Sequence, residues 1–242
     1  SAFAMKYTKD KKKVLSVHGM YSEQVNSLHS DTTAKAASIT ESKVLKWADK
    51  LTTDSKTVKN IYKEKLGINF EFLYAPLDIA KFNNIQQIPK KENQIIYIGR
   101  DSYEKGIDIL KKIESKVNGK VVYCTDLKWE DAMENLKASS IIVIPSRMES
   151  IPQVIKEAFY LKVPIIATNV GGIPELITDN VNGILVPPNS PELLQNAINK
   201  LLLDDETSKR LSAAGYEFVM NHLTWEVLLP EYVKFYENLV NS

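Results

Sequence analysis

The chain has 242 residues, enough for one large domain or two smaller ones, each able to bury a core. Lys plus Arg total 31 against 30 for Asp plus Glu, so no global field draws it onto nucleic acid, and partners must be recognised locally. The single cysteine, Cys124, excludes an internal disulfide, points to a reducing, cytoplasmic setting, and leaves no Cys/His cluster at metal-ligand spacing. No apolar run reaches the roughly 20 residues that span a bilayer, and the opening "SAFAMKYTKDKKKVLSVHG" lacks the apolar stretch of a secretory signal.

In chain order, residues 1–4 precede the first methionine and are set aside. The basic stretch from Lys6 to Lys13 suits a solvated leader; docking on anionic lipid heads at the inner membrane face is the alternative. Residues 13–80 then hold a small set of elements: strand "KVLSVHG", a polar stretch, a helix over Ser38–Ala48, strand "KLTTDS", a helix over Lys56–Leu66 and strand "FEFLYAP". The polar segment "LDIAKFNNIQQIPKKENQ" has no clear period and marks a junction between domains 1–80 and 81–242.

Downstream, short apolar runs alternate with amphipathic segments, the pattern of a parallel sheet with helices on both faces. The predicted strands are "QIIYIG", "KVVYC", "SIIVIPS", "VPIIAT" and "GILVP"; the predicted helices are Gly106–Lys116, Trp129–Ala138, Pro152–Leu161 and Ile173–Thr178. Helices over Pro191–Leu203 and Glu206–Asn221 follow. The last segment, 224–241, has a helical period interrupted by Pro230, which predicts a helix in two pieces.

Ligands of open parallel sheets bind at the carboxyl ends of the strands, so the loops there hold the candidates. After the first downstream strand, Gly99 is followed by Arg100 and Lys105, two cations ahead of a helix and suited to a phosphate or diphosphate. The same two suit solvated loop charges paired with Asp101 or Glu104. After the third strand, Glu149 lies in a loop where Ser150 is a candidate cap, and Glu157 follows near the second turn of the helix. Positions eight apart differ by roughly 80° around a helix, so these two acids form no helix-surface pair. Glu157 lacks a cation three or four residues away, where Gln153, Val154, Tyr160 and Leu161 stand. After the fourth strand, Gly171 and Gly172 permit close backbone approach to a ligand, or make a tight turn.

The succession "IGRDSYEKG", "IPSRMES", "ESIPQVIKEAF", "PIIATNVGGIPELI" and "NGILVPPNSPELL" resembles the nucleotide-sugar-binding half of the retaining family 4 glycosyltransferases, the glycosyl transferases group 1 of GT-B fold. Glu149 and Glu157 match that family's motif of two glutamates separated by seven residues. The resemblance implies an α/β, GT-B type chain: a Rossmann-like parallel sheet preceded by a smaller or truncated Rossmann-like domain, onto which the terminal helix 224–241 packs. It implies that Arg100 and Lys105 hold the donor diphosphate, that Glu157 binds the ribose hydroxyls, and that Glu149 contacts the donor sugar. Backbone amides around Ile151, Pro152 and Gln153 would face the phosphate and sugar, with Gly99, Gly171 and Gly172 in loops near the donor. His18 corresponds to a histidine that lines the donor sugar; a histidine satisfied at a strand end is the alternative. Thr125, Asp126 and Leu127 are the expected base pocket.

No metal and no cofactor are expected, since Arg100 and Lys105 suffice to neutralise phosphates and no Asp-x-Asp cluster is present. The expected reaction moves a sugar, with retention of configuration, from a UDP- or GDP-linked donor to a glycan, a lipid-linked sugar or a small molecule. The first domain is short for the family, so an upstream domain or partner subunit is expected, and the alternative is a donor-binding fragment without transfer of its own. A sugar-nucleotide epimerase fits less well, because it would present additional acid/base residues. At the interdomain hinge, "YAPLD" replaces the family's more usual Asn-Gly turn.

Overall fold

A computed structural model describes residues 2–8, 10–19, 31–86 and 88–241. The chain divides into two compact units: Ser1–Ala75 together with Leu229–Ser242, and Pro76–Leu228.

In the first unit, helix α1 (Ala2–Tyr7) precedes strand β1 (Val14–Ser16), helix α2 (Asp31–Leu45), β2 (Lys50–Thr53), α3 (Lys56–Leu66) and β3 (Glu71–Phe72). The strands form a parallel sheet in the order β1-β2-β3, with Leu15 opposite Leu51 and Thr52 opposite Glu71. Leu45, Val58, Tyr62 and Phe70 make its core. Helix α3 starts where the sequence predicts because the Ser55 hydroxyl oxygen accepts from the Val58 amide at 3.2 Å. Helix α2 starts seven residues ahead of the predicted Ser38, since "DTTAKAAS" is too poor in apolar residues to show a period.

The second unit begins with a tie rather than a free linker. The Leu77 amide donates to the Leu223 carbonyl at 2.6 Å, and Asp78 caps a 3-10 turn, Ile79–Asn84, by accepting from the Ala80 amide. That turn buries Phe82. Five parallel strands follow: β4 (Gln94–Ile98), β5 (Lys120–Cys124), β6 (Ile141–Ile144), β7 (Ile165–Thr168) and β8 (Ile184–Val186). Their order is β5-β4-β6-β7-β8. The chain leaves β4 toward one sheet edge and then returns past it to β6, so the loops after β4 and β6 diverge from a topological switch point.

The connecting helices are α4 (Ile107–Ile113), α5 (Trp129–Ala138), α6 (Gln153–Tyr160), the single turn α7 (Ile173–Leu176), α8 (Pro191–Leu202) and α9 (Asp205–His222). Strands buried on both faces read as unbroken apolar runs, which is why "IIVI" and "PIIAT" were legible. Ile95, Tyr97, Val121, Val143 and Ile166 pack with Leu110 of α4 and with Leu194 and Ile198 of α8. Each such side chain contributes about 1.5–3 kcal/mol through burial.

The terminal segment is one helix, α10 (Trp225–Val240), with Pro230 inside it and not the two pieces expected. Proline removes one backbone donor, but Glu226, whose carbonyl loses that bond, is exposed and can be hydrated. Leu228, Phe235 and Leu239 are buried and hold the helix through the proline.

Candidate functional site

The loop after β4 starts at Gly99 and closes with the 3-10 turn Tyr103–Lys105. Gly106 follows with φ of 66°, and a Cβ there would lie 2.0 Å from the Pro145 carbonyl oxygen, so only glycine lets this loop meet the one after β6. The amides of Arg147 and Met148 both donate to the Glu104 carbonyl, at 2.8 and 3.2 Å. The Arg147 guanidinium grips Asp108 through two bonds of 2.6 and 2.7 Å, reaches the Asn189 side chain at 2.7 Å and the Tyr103 carbonyl at 2.8 Å, and stacks on the Tyr103 ring. These bonds hold the Asp108 carboxyl below its ordinary range. Arg147 therefore pins together three loops at one sheet edge.

Lys105 and Glu149 meet at the switch point. Lys105 Nζ lies 2.6 Å from Glu149 Oε1, which also accepts from the Ser146 hydroxyl at 2.9 Å. The Glu149 side chain is only 8% exposed. Lys105, Ser146, Glu149, Pro152 and Gln153 line a pocket of about 170 Å³ with Tyr97, Ile98, Ile144 and Val154. Burial, followed by the nearby carboxylates of Asp101, Glu149 and Glu104, pushes the Tyr97 phenol up, so it stays protonated; it donates to the Arg100 carbonyl at 2.7 Å. The Arg100 side chain itself is 75% exposed and paired with Glu104 at 2.9 Å, one of the two partners the sequence offered. It stands outside the pocket lining.

Helix α6 begins at Gln153 with Pro152 as its cap residue and no side-chain cap, so the expected cap by Ser150 does not form. The Ser150 hydroxyl is buried and has no hydrogen-bond partner among the described residues. The first amides of α6 thus face the pocket end of the helix without a capping side chain. Ile151, beside them, is buried. The glycine pair has a structural use that the sequence left open: a Cβ at Gly171, where φ is 54°, would sit 1.8 Å from the Glu149 carbonyl oxygen, and one at Gly172 would sit 2.1 Å from that of Ser150. The pair lets the loop after β7 press on the backbone that carries Glu149.

Glu157 lies one turn into α6 and is not a surface acid. Its Oε1 accepts from the Trp129 indole N–H at 2.8 Å, and burial raises its carboxyl above the ordinary range, while Trp129, Lys156 and Lys81 pull it back. Trp129 is in turn packed edge-on by Phe82, with ring centroids 5.1 Å apart. Neither aromatic residue was marked by the sequence as part of a site, because neither sits in a strand-end loop. Of the expected base-pocket residues, Thr125 bonds its neighbour Asp126 at 3.4 Å and Leu127 is half exposed. His18 belongs to the first unit, where its Nδ1 lies 3.1 Å from the buried Asp54 and its Nε2 lies 3.3 Å from the Ser16 hydroxyl. Among the described residues no group of three or more His, Cys, Asp or Glu is placed to hold a metal ion. No helix of the described residues is long and apolar enough to cross a membrane.

Residues 113–218 match the family described as Glycosyl transferases group 1. An uncharacterized glycosyltransferase of Methanocaldococcus jannaschii is 28% identical over 225 residues, covering 79% of this chain and 60% of that protein. A second from the same organism is 27% identical over 257 residues, 90% of this chain and 65% of that protein. The chain thus spans less than two thirds of the length of these relatives. Among solved structures, sucrose-phosphate synthase of Thermosynechococcus elongatus superposes with a TM-score of 0.82 at 19% identity, over 99% of this chain and 70% of that one. Anabaena HepE in complex with UDP-glucose superposes with a TM-score of 0.80 at 15% identity, over 98% of this chain and 77% of that one. Residues 113–218 are thus similar to the glycosyl transferases group 1 family, and the chain has the GT-B fold of these structural neighbours.

Proposed function

We propose that this chain binds a nucleotide-diphosphate sugar and is the donor-binding part of a retaining, family 4 glycosyltransferase acting on a glycan, a lipid-linked sugar or a small molecule. The observation that carries this reading is the Lys105–Glu149 pair in a pocket at the sheet's switch point, beside the uncapped start of α6. A leaving diphosphate gains negative charge as the glycosidic bond breaks, and a fixed cation and helix N-terminal amides act where that charge appears. Lys105 and the exposed Arg100 take the phosphates, the backbone around Ile151 to Gln153 faces phosphate and sugar, and Glu149 takes sugar hydroxyls. Glu157 takes the ribose, Thr125 to Leu127 flank the base, and Gly99, Gly171 and Gly172 shape the loops. The resemblance also implies a donor-sugar role for His18. UDP or GDP is the proposed nucleotide, and the UDP-glucose bound by HepE favours the former. Two cations neutralise the diphosphate without a metal, in a chain that works in the cytoplasm or at the inner membrane face.

A second reading rests on the 60–65% of the relatives' length that the chain covers. Orientation of an acceptor and exclusion of water supply about 7–11 kcal/mol of barrier reduction in such reactions. The chain alone is then expected to bind donor with little turnover, and to transfer once an upstream segment or partner subunit is supplied. Thermal shift and calorimetry with UDP, GDP, ADP and their sugars test the donor reading; a ligand at 100 times its Kd stabilises by about 2.7 kcal/mol. A response to none overturns it, as rapid transfer by the isolated chain overturns the second reading. Loss of donor binding in EDTA overturns metal independence, and an inverted anomeric product in the supplemented assay overturns retention.

A further inference from the structure

Glu157 is held by a residue outside every strand-end loop. We infer that Trp129 is a positioning residue for the ribose-reading carboxylate: its indole N–H fixes one oxygen of Glu157 so that the other is presented to the ribose hydroxyls. The inference rests on the donor reading above and goes beyond it by naming what aims Glu157.

Three observations carry it. The Nε1–Oε1 distance of 2.8 Å is that of a well-made bond, and indole is a donor only, so it always takes one acceptor oxygen of Glu157. Trp129 is the first residue of α5 and Glu157 the fifth of the eight in α6, so the bond runs from the start of one helix to a position one turn into the next. The indole is itself held: Phe82, buried in the 3-10 turn ahead of β4, packs edge-on against it and also against Tyr160. The polar segment that looked like a linker thereby fixes a ring, the ring fixes a carboxylate, and one carboxylate oxygen remains for a ligand. A hydrogen bond to the charged form also opposes the protonation that burial favours at Glu157, as do Lys156 and Lys81.

A core tryptophan that merely fills space between α5 and α6 would support every ligand equally. The test therefore compares the tightest-binding of UDP, GDP and ADP with its 2′,3′-dideoxy counterpart on the full chain, by calorimetry. A hydrogen bond to a charged group is worth about tenfold or more in binding, so the unaltered protein should prefer the ribose form by at least about that factor. W129F keeps a ring and removes the N–H; it should lose about five- to tenfold for the ribose form and less than about twofold for the dideoxy form, the loss being that of a bond loosened rather than deleted. In an E157Q background W129F should cost nothing further. Equal losses for both ligands, or no loss for either, overturn the inference while leaving the donor reading intact. Binding of none of the three diphosphates overturns the donor reading and the inference with it. Should W129F fail to fold, the unaltered protein still decides: the Trp129 indole N–H resonance, assigned with W47F and W225F, should shift on adding the ribose ligand and stay in place with the dideoxy ligand. A resonance that responds alike to both sinks the inference.

Discussion

Lys105 Nζ and Glu149 Oε1 lie 2.6 Å apart, so the cation proposed for a phosphate is already engaged by the carboxylate proposed for a sugar. The two proposed roles are coupled through one ion pair. In E149Q the lysine is released: affinity for nucleoside diphosphate should hold or rise, while affinity for the intact nucleotide sugar should fall about tenfold. K105A should weaken diphosphate far more than bare nucleoside, and should cost about 1–3 kcal/mol of stability because Glu149, in a largely buried place, then keeps Ser146 as its side-chain donor among the described residues. Calorimetry with nucleoside, nucleoside diphosphate and nucleotide sugar separates these outcomes. A parallel loss of all three ligands in both variants would show that the pair supports the fold alone.

The buried Glu157 makes stability depend on pH with a definite sign. Its folded pKa is raised, chiefly by burial, so as pH climbs through the ordinary carboxylate range the unfolded chain releases this proton first and the native state loses stability. E157Q has no such proton to lose. The stability advantage of E157Q over the unaltered chain should therefore grow from about pH 4 upward and level off once the folded carboxyl has ionised. Urea midpoints across that range check it; an advantage that shrinks as pH rises would contradict the sign.

G171A places a methyl group 1.8 Å from the Glu149 carbonyl oxygen and puts a side chain at φ of 54°. The backbone conformation alone costs about 1–3 kcal/mol, and the clash must be relieved by moving the Glu149 loop. Lower thermal stability and a displaced Glu149 are expected together, read as a fall in melting temperature and a loss of nucleotide-sugar binding. Unchanged sugar-donor affinity in a folded G171A would mean that the two loops move independently.

Arg147 is expected to act on the phosphate end without touching it. R147K cannot reproduce the two-pronged grip on Asp108, so R147K and R147A should both release the loop that carries Lys105, at about 1 kcal/mol or more of stability. Diphosphate affinity should fall in both, and D108N should add little to R147A. Because the Asp108 carboxyl is held below its usual range, the grip should persist down through mildly acid pH and fail only as pH drops through that lowered value. Full additivity of R147A and D108N would show that the bond is not what links the loops.

The strands of the second unit were legible because β-branched runs such as Ile141–Ile144 and Ile165–Thr168 are bounded by turn residues. The loops that carry Lys105, Glu149 and the glycine pair were legible for the same reason, since strand ends locate them. What stayed hidden depends on contacts between elements. Phe82 lies in a segment without a period, and nothing local says that its ring meets Trp129; the Glu157 partner was sought three or four residues away and came instead from 28 residues upstream. Pro230 misled in the opposite direction, because a local rule for ending helices was overridden by buried Leu228, Phe235 and Leu239.

The interlocking of Gly106 with Pro145, of Arg147 with Asp108 and of Gly171 with Glu149 also divides what selection can alter. A substitution in any of those loops shifts the other two, so change at that end requires several coordinated steps. The loop after β5 differs: Leu127 is half exposed and Thr125 bonds to its own neighbour. Ancestral variants differing at 125–127 should therefore share one loop framework, and a lineage can exchange these three residues one at a time while inheriting the rest unchanged.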